Sequence, residues 1–196
     1  MNQPTIGSSS VYASVFGLSF LCWLLFEMWV FSRDRGKQRR GSLGSGLLVI
    51  TVFVAGIIIG MNMPNIAPSF NIQDHAGIHF VAGIVLVWAG LVLRYWSIRT
   101  LGRFFSTRLV IQDRHELITS GPYSILRHPS YTGAVLTFIG FGLGAGNWLS
   151  LLVLLATALI SYAWRIRSEE KLLLAEFGDA FLQHKKHTWA IIPFVW

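Results

Sequence analysis

The sequence predicts an all-α integral membrane protein of about five transmembrane helices, with a hairpin formed by the fourth and fifth helices and a cytoplasmic C-terminal helix. Its 196 residues are 53% hydrophobic and 13% charged, whereas soluble domains carry about 25% charged residues. Apolar segments near the bilayer-spanning length of about 20 residues recur along the chain. All 16 Lys and Arg residues cluster in three segments at or beyond the ends of these apolar stretches.

The first three predicted spans cover residues 11–31, 43–61 and 78–98. Glu27 interrupts the first span. An acid inside the membrane suggests function, but a pairing with Arg33 or with a neighbouring helix explains it as well, and the sequence does not decide. Arg94 lies near the end of the third span, where we expect its long side chain to reach the interface.

The fourth apolar segment, residues 131–164, contains no Lys, Arg, Asp, Glu or His. It is too long for one span and short for two. Gly144, Gly146 and Asn147 are turn-forming residues near its middle, so we predict a tight helical hairpin that turns near residues 145–148.

The basic residues fall within 33–40, 94–127 and 165–186. With five spans all three segments lie on one side of the membrane, and the positive-inside rule makes that side the cytoplasm. The N-terminus is then outside, and the C-terminus and any site on the basic loops are cytoplasmic. The same rule accounts for the net charge of +7, so we expect no nucleic-acid partner.

The segment Gly121-Pro-Tyr-Ser-Ile-Leu-Arg-His-Pro-Ser-Tyr-Thr-Gly133 precedes the hairpin. Pro129 restricts His128 to extended geometry. Polar and aromatic side chains crowd between the two prolines, namely Tyr123, Arg127 and His128, with Tyr131 just beyond. An interfacial aromatic belt explains a tyrosine and an arginine, but it does not explain this density, so we predict a functional site here.

Arg165 and Glu169 are four residues apart at the start of the last basic segment, with Glu170 beside them. They share a helix face in a helix expected from Arg165 to about His184. A surface ion pair is the plainer interpretation, yet Arg before Glu is the weaker order for helix stability. We therefore treat the pair as a second candidate site.

These motifs occur in a defined order: RHPSYTG, a hydrophobic hairpin, Arg165-x-x-x-Glu169-Glu170 and Glu176-Phe-Gly-Asp179. In this order they resemble the isoprenylcysteine carboxyl methyltransferase family, which is related to the phospholipid methyltransferases. The resemblance covers about residues 100–196, and the first two spans match only as generic membrane helices. It implies an enzyme that uses S-adenosyl-L-methionine and acts on a lipophilic acceptor from the bilayer.

The resemblance also assigns residues. Arg165 would bind the substrate, and Arg165, Glu169 and His128 would be catalytic. The expected cofactor-binding residues are Gln112, His115, Glu116, Leu117, Ile118, Tyr123, Arg127, His128, Pro129, Ser130, Tyr131, Glu169 and Glu170. One departure is the tail Thr188-Trp-Ala-Ile-Ile-Pro193, which lacks the basic residue that the family often has before its final Ile/Leu-Pro.

The chemistry depends on the acceptor. A carboxylate is already ionised near pH 7 and needs no general base, and Arg165 could orient it through paired hydrogen bonds. A lipid amine would need proton removal, for which His128, Glu169 and Glu170 are the candidates. We expect carboxyl O-methylation of a prenylcysteine-type acceptor, with phospholipid N-methylation as an alternative.

Two further interpretations remain. One is an NADPH-dependent reductase, because membrane sterol reductases have a similar C-terminal motif set, although their chains are usually much longer. The other is a non-catalytic membrane scaffold. Binding of S-adenosylhomocysteine rather than NADPH would distinguish the methyltransferase from the reductase.

His75 and His79 have metal-ligand spacing, but a capping Asp74 and interfacial histidines explain it, so we expect no metal.

The chain is expected to form one structural domain. Residues 1–98 would supply three transmembrane helices with their loops, and residues 99–196 would form the cofactor-binding catalytic region. The run from Gly140 to Gly146 nearly imitates a dinucleotide fingerprint, but no strand precedes it. Its glycines, with Gly56 and Gly60, are instead expected to allow close helix packing in lipid.

Overall fold

The computed structural model of this protein describes residues 10–33, 43–73, 77–107 and 116–193, with the backbone alone for 43–50. The helices are α1 (Ser10–Ser32), α2 (Leu43–Ile66), α3 (Ile78–Leu101), α4 (Pro129–Gly144), α5 (Trp148–Phe177) and α6 (Asp179–Lys186). Short 3₁₀ turns occupy Pro68–Phe70, Gly102–Phe104 and Gly121–Ser124. The described residues contain isolated β-bridges but no strand, which confirms the all-helical prediction.

Within the described ranges, three helices are apolar and long enough to cross a bilayer, namely Ser10–Ser32, Ile78–Phe104 and Trp148–Phe177. A shorter apolar stretch covers Thr51–Ile66 in α2. Large apolar side chains such as Leu18, Val92 and Ile160 are exposed on the outside of these helices. Such a surface suits hydrocarbon rather than water.

Glycines let α3 and α4 approach at the level of the backbone. A Cβ atom added to Gly133 would lie 2.5 Å from the Gly90 carbonyl oxygen, and one added to Gly140 would lie 2.5 Å from that of Gly83. Gly142 faces the Leu151 backbone of α5 in the same way. The predicted packing role of Gly140 and Gly142 is confirmed, because a side chain at either position would force the helices apart.

The hairpin turns at residues 145–147, as predicted. Gly146 adopts a φ of 70°, so it makes the turn and does not form a helix-packing pair with Gly142. The Asn147 side chain caps α5 by accepting from Leu149 N at 2.9 Å and Ser150 N at 3.2 Å. It also donates to Asn71 Oδ1 at 2.8 Å, which fixes the turn against the segment after α2.

The prediction of a separate helix beginning at Arg165 is wrong, because α5 continues without a break to Phe177. No glycine or proline interrupts residues 148–177, so nothing in the sequence stops the helix at the end of the apolar segment. The break comes at Gly178, whose φ is 48°. Beyond it, α6 turns back and buries Phe181.

Aromatic side chains of α1 pack on α4. Phe16, Phe20 and Trp23 all contact Phe141, with ring centroids 5.5–5.7 Å apart. The expectation that Arg94 reaches the interface is wrong: its guanidinium is bonded to Glu27 of α1. Of the residues named from the sequence, Asp74, His75, Gln112 and His115 lie outside the described ranges.

Candidate active site

The first part of the site is the turn that leads into α4. Gly121 has a φ of 59°, and the 3₁₀ turn Gly121–Ser124 buries Tyr123. His128 has a φ of −127°, outside the helical region, as the following Pro129 requires. Pro129 is then the first residue of α4, where its missing N–H costs nothing.

The tail after α6 runs alongside this turn. Arg127 N donates to Trp189 O at 2.7 Å, His128 N donates to Ala190 O at 3.0 Å, and Trp189 N donates to Ile125 O at 3.1 Å. The Thr132 hydroxyl donates to Ile191 O at 2.8 Å. Residues 189–191 therefore hold the RHP turn by backbone contacts, without the basic residue that the resemblance led us to look for.

Tyr131 joins the two motifs that the sequence singled out. Its hydroxyl accepts from Arg165 Nε at 2.7 Å and donates to Glu169 Oε2 at 2.7 Å. Its ring stacks on Tyr162, with centroids 4.7 Å apart, and on His128 at 5.5 Å. Arg165 also donates to the Thr107 carbonyl. The pair on α5 is thus coupled through a tyrosine of α4.

Glu170 is the centre of a second, more buried set of charges. It accepts from Arg127 Nε at 2.7 Å and from Lys185 Nζ at 2.6 Å. Arg127 in turn donates to the Thr188 carbonyl. The Arg127 and Glu170 side chains are 8% and 14% exposed, so each charge depends on its partners for stabilisation.

The His128 ring lies between the two glutamates. Nδ1 is 3.7 Å from Glu169 Oε2, and Nε2 is 3.5 Å from Glu170 Oε1. The ring is almost fully buried, and Nε2 has no hydrogen-bond partner among the described residues. Both ring nitrogens therefore face carboxylate oxygens, at distances longer than an ordinary hydrogen bond.

Tyr123 is buried in the 3₁₀ turn before the RHP motif. Burial raises the pKa of the Tyr123 phenol well above its ordinary value, and the charge of Glu169 and the neighbouring Tyr131 add to the effect. The raised pKa favours the neutral form of the phenol.

Most of the predicted site residues meet. Tyr123, Arg127, His128, Tyr131, Arg165, Glu169 and Glu170 form the cluster described above, and Pro129 and Ser130 begin α4 beside it. Leu117 and Ile118 are half-buried in the segment before Gly121. Glu116 is exposed and pairs with Arg103 at 3.6 Å, away from these contacts.

The sequence analysis did not identify Tyr162, Lys185 or the backbone contacts of the tail residues 189–191. Tyr162 precedes Arg165 by three residues, so helical spacing from the motif could have identified it. Lys185 lies 15 residues from Glu170 along the chain, and only the turn at Gly178 brings them together. The tail pairs through backbone atoms, which leave no signature in side-chain identity.

The fold and the site define a membrane protein with a buried, charged and aromatic centre at one end of its helices. The chain belongs to the phospholipid methyltransferase family, whose pattern matches residues 78–180. It is accordingly a multi-pass membrane methyltransferase. This assignment favours the methyltransferase interpretation over the reductase and the scaffold.

Named relatives agree with the resemblance found in the sequence. The protein-S-isoprenylcysteine O-methyltransferase of Schizosaccharomyces pombe is 25% identical over 96% of this chain and 93% of its own. The enzyme of that name from Xenopus laevis is 35% identical over 59% of this chain and 41% of its own. Coverage of the relatives is thus nearly complete in one case and under half in the other.

A solved structure shares the fold. The structure of the eukaryotic intramembrane Ras methyltransferase, isoprenylcysteine carboxyl methyltransferase, matches with a TM-score of 0.60 and 23% identity. The match covers 80% of this chain and 55% of that one. At this identity the likeness supports the arrangement of helices and does not extend to the substrate.

Proposed function

We propose that this protein transfers a methyl group from S-adenosyl-L-methionine to the carboxylate of a lipophilic, prenylcysteine-type acceptor. The observation that carries the proposal is the coupling of Arg165 and Glu169 through the Tyr131 hydroxyl. It places a cationic group and an anionic group side by side at the end of apolar helices. The names of the relatives supply the acceptor class.

The chain's own groups suit the proposed cofactor. Glu169 uses Oε2 for Tyr131 and is 35% exposed, so it can accept from a further donor such as a ribose hydroxyl. His128 Nε2 is a buried polar atom without a hydrogen bond among the described residues.

Arg165 is our candidate for holding the acceptor. The bonds to Tyr131 and Thr107 fix its guanidinium, and an arginine has five N–H donors. Its fork is suited to a carboxylate. An acceptor could approach from the bilayer, because Arg165 follows directly on the apolar part of α5.

When bound, S-adenosylmethionine supplies an electrophilic methyl group. The tasks of the chain are then to align the acceptor oxygen with that methyl group and to exclude water. Arg165 orients the carboxylate, Tyr131 holds Arg165 and Glu169 at a fixed separation, and the tail residues cover the RHP turn. A carboxylate acceptor is already ionised, so no residue needs to remove a proton.

For the membrane arrangement we propose five spans, with the N-terminus outside and the site and C-terminus cytoplasmic. The three helices of spanning length, together with α2 and α4, make the five. α4 has 16 residues and is about 24 Å long, so residues on either side would complete its passage. The support is the clustering of the 16 basic residues, which the positive-inside rule places on one side.

We further propose one structural domain. Residues 1–98 would contribute membrane helices, and residues 99–196 would bear the cofactor-binding catalytic region with the hairpin 131–164. The packing of α1 and α3 on α4 supports this, since aromatic and glycine contacts join the two parts.

The cofactor proposal is tested by calorimetry on detergent-solubilised protein. Wild type should bind S-adenosylhomocysteine and not NADPH, and Glu169→Ala should abolish that binding. Glu176→Ala, at the exposed end of the same helix, is the matched control and should bind normally. Unaltered affinity in Glu169→Ala would mean that Glu169 serves only as an ion-pair partner, and binding of NADPH alone would restore the reductase.

The acceptor proposal is tested with methyl-labelled donor and N-acetyl-S-farnesylcysteine. A carboxyl methyl ester releases labelled methanol in alkali, whereas an N-methylated amine keeps its label. We expect alkali-labile product. Stable label on aminophospholipids would instead support phospholipid N-methylation, which the position of His128 between Glu169 and Glu170 also allows.

The orientation is tested by cysteine labelling in a Cys22→Ser background. Single cysteines at positions 33–40 should react with an impermeant reagent only after the membrane is opened. Labelling of these positions from outside would contradict the five-span arrangement.

A further inference from the structure

One buried ion pair lies outside the cluster described above. Both oxygens of the Glu27 carboxylate, on α1, accept from the guanidinium of Arg94, on α3; the Arg94 Nη2 to Glu27 Oε2 distance is 3.1 Å. The Arg94 side chain is 15% exposed and the Glu27 side chain is 23% exposed. This contact ties α1 to α3, the helix that packs closely on α4.

The pairing is close to obligatory for Arg94. Its Nε is buried and has no hydrogen-bond partner among the described residues, and the Phe26 ring lies 5.7 Å from its guanidinium carbon. A buried guanidinium that loses its carboxylate is strongly destabilised unless another anion replaces it. The Glu27 carboxylate therefore fixes the position of the Arg94 guanidinium.

Arg94 borders the site through α4 and α5. A Cβ atom on Gly133 would lie 3.1 Å from the Arg94 Cβ, so Arg94 is in contact with α4 two residues after Tyr131. Tyr131 lies two residues before this contact, and its ring stacks on Tyr162 of α5 with centroids 4.7 Å apart. The ion pair is thus close to the start of α4, which carries Tyr131 into the site.

We propose that Glu27 is a positioning residue for the acceptor end of the site. Its carboxylate fixes the Arg94 guanidinium close to the start of α4, which carries Tyr131, and α1 thereby takes part in the reaction without touching the cofactor. This inference rests on the proposed methyltransferase function.

A purely structural clip for α1 is the competing explanation. The aromatic contacts of Phe16, Phe20 and Trp23 with α4 already hold α1 along its first half. Glu27 lies one turn beyond Trp23, where an apolar side chain would satisfy packing at lower cost in desolvation. A role in the neighbouring site explains why a charged pair occurs at this point.

The test compares wild type, Glu27→Gln and Glu27→Asp, with Glu176→Gln as the control for an exposed acid. N-acetyl-S-farnesylcysteine is the acceptor probe and S-adenosylhomocysteine the cofactor probe. In Glu27→Gln we expect kcat/KM for the acceptor to fall about tenfold or more, with cofactor affinity within about twofold of wild type. Glu27→Asp keeps the charge and should recover part of the loss.

A double variant identifies the route. If Glu27 acts through Arg94, Glu27→Gln should lower kcat/KM little or not at all in an Arg94→Gln background. Equal fractional losses in both backgrounds would overturn the proposal. So would acceptor kinetics equal to wild type in Glu27→Gln, or parallel losses of cofactor and acceptor binding.

The two proposals fail in different ways. A wild-type protein that binds no S-adenosylhomocysteine and methylates nothing would refute the proposed function. An active wild type whose Glu27→Gln variant has unchanged acceptor kinetics would refute only the role of Glu27. If Glu27→Gln does not fold, Glu27→Asp tests the role of Glu27 instead. The shorter acid should still change KM or kcat for the acceptor more than it changes cofactor affinity.

Discussion

Arg127 Nε donates to Glu170 Oε1 over 2.7 Å and so joins the RHP turn to the end of α5. The two residues are 43 positions apart in the chain. Because both side chains are largely buried, the bond fixes the turn that carries His128.

Arg127→Ala should destabilise the protein severely. Loss of one partner of a buried pair costs about 3–5 kcal/mol, since Glu170 would keep only Lys185 and His128 nearby. Arg103→Ala removes the exposed pair with Glu116 and should cost under about 1 kcal/mol. Thermal unfolding in detergent measures both, and equal midpoints would contradict the structural role of Arg127.

Tyr131→Phe should lower methyl transfer and leave the ring stack intact. Arg165 Nε and Glu169 Oε2 would each lose a partner, and an unsatisfied buried group costs about 1–3 kcal/mol. We expect a roughly tenfold to hundredfold fall in kcat/KM. Tyr95→Phe, on the outside of α3, is the matched control. A Tyr131→Phe enzyme as active as wild type would show that the hydroxyl bridge is dispensable.

Arg165→Lys should impair turnover far more than cofactor binding. Lysine keeps the charge but cannot reproduce the planar fork, and a charge-assisted contact contributes about 1.5–3 kcal/mol. Methyl-transfer rate and S-adenosylhomocysteine affinity are measured side by side. Equal losses in both would place Arg165 in the cofactor pocket or in the fold and remove it from the acceptor site.

Gly133→Ala should destabilise the α3–α4 interface, whereas Gly17→Ala should not. The added methyl group at 133 meets the Gly90 carbonyl, but at 17 it meets no atom of the described residues within 4 Å. Overpacking costs about 1–3 kcal/mol, and alanine in an open helix position gains about 0.5–1 kcal/mol. Unfolding midpoints that move in the same direction would contradict the close approach.

His184 should make stability fall in mild acid. Burial lowers the pKa of His184, and the charges of Arg127, His187 and His128 act in the same direction. The unfolded chain then binds the proton more readily, so this contribution is complete above about pH 6.5. It is lost as the pH falls through the lowered folded-state pKa. His184→Gln should weaken the fall in unfolding midpoint below pH 6.5, and the exposed-site variant His187→Gln should retain most of it.

The sequence predicted the elements that depend on local composition. Hydrophobic length predicted helices, and Gly146 with Asn147 predicted the hairpin turn, because these signals act over a few residues. Tyr131 and Glu169 were both identified, but their bond was not, since a contact across 38 positions depends on how α4 and α5 pack. The family resemblance supplied most of the site assignments.

The errors have physical reasons. The length of the apolar segment suggested that the helix ends at residue 164. Instead α5 continues past the edge of that segment and ends before Gly178, which has a positive φ. Arg94 was expected to extend toward water, which is the usual outcome for a lone arginine near a helix end. A carboxylate on a neighbouring helix changed that balance, and no pattern within either helix reveals which helices are neighbours.

The unbroken course of α5 has a consequence for what the protein can select. One continuous helix carries Tyr162, Arg165 and Glu169, so their spacing along the helix axis is fixed. Under the proposed function, the reactive end of the acceptor must therefore reach the depth of Arg165, and the length of its hydrocarbon tail matters only through that depth. If Arg165 holds the acceptor as we propose, we expect the methyl-transfer rate to depend on the thickness of the bilayer.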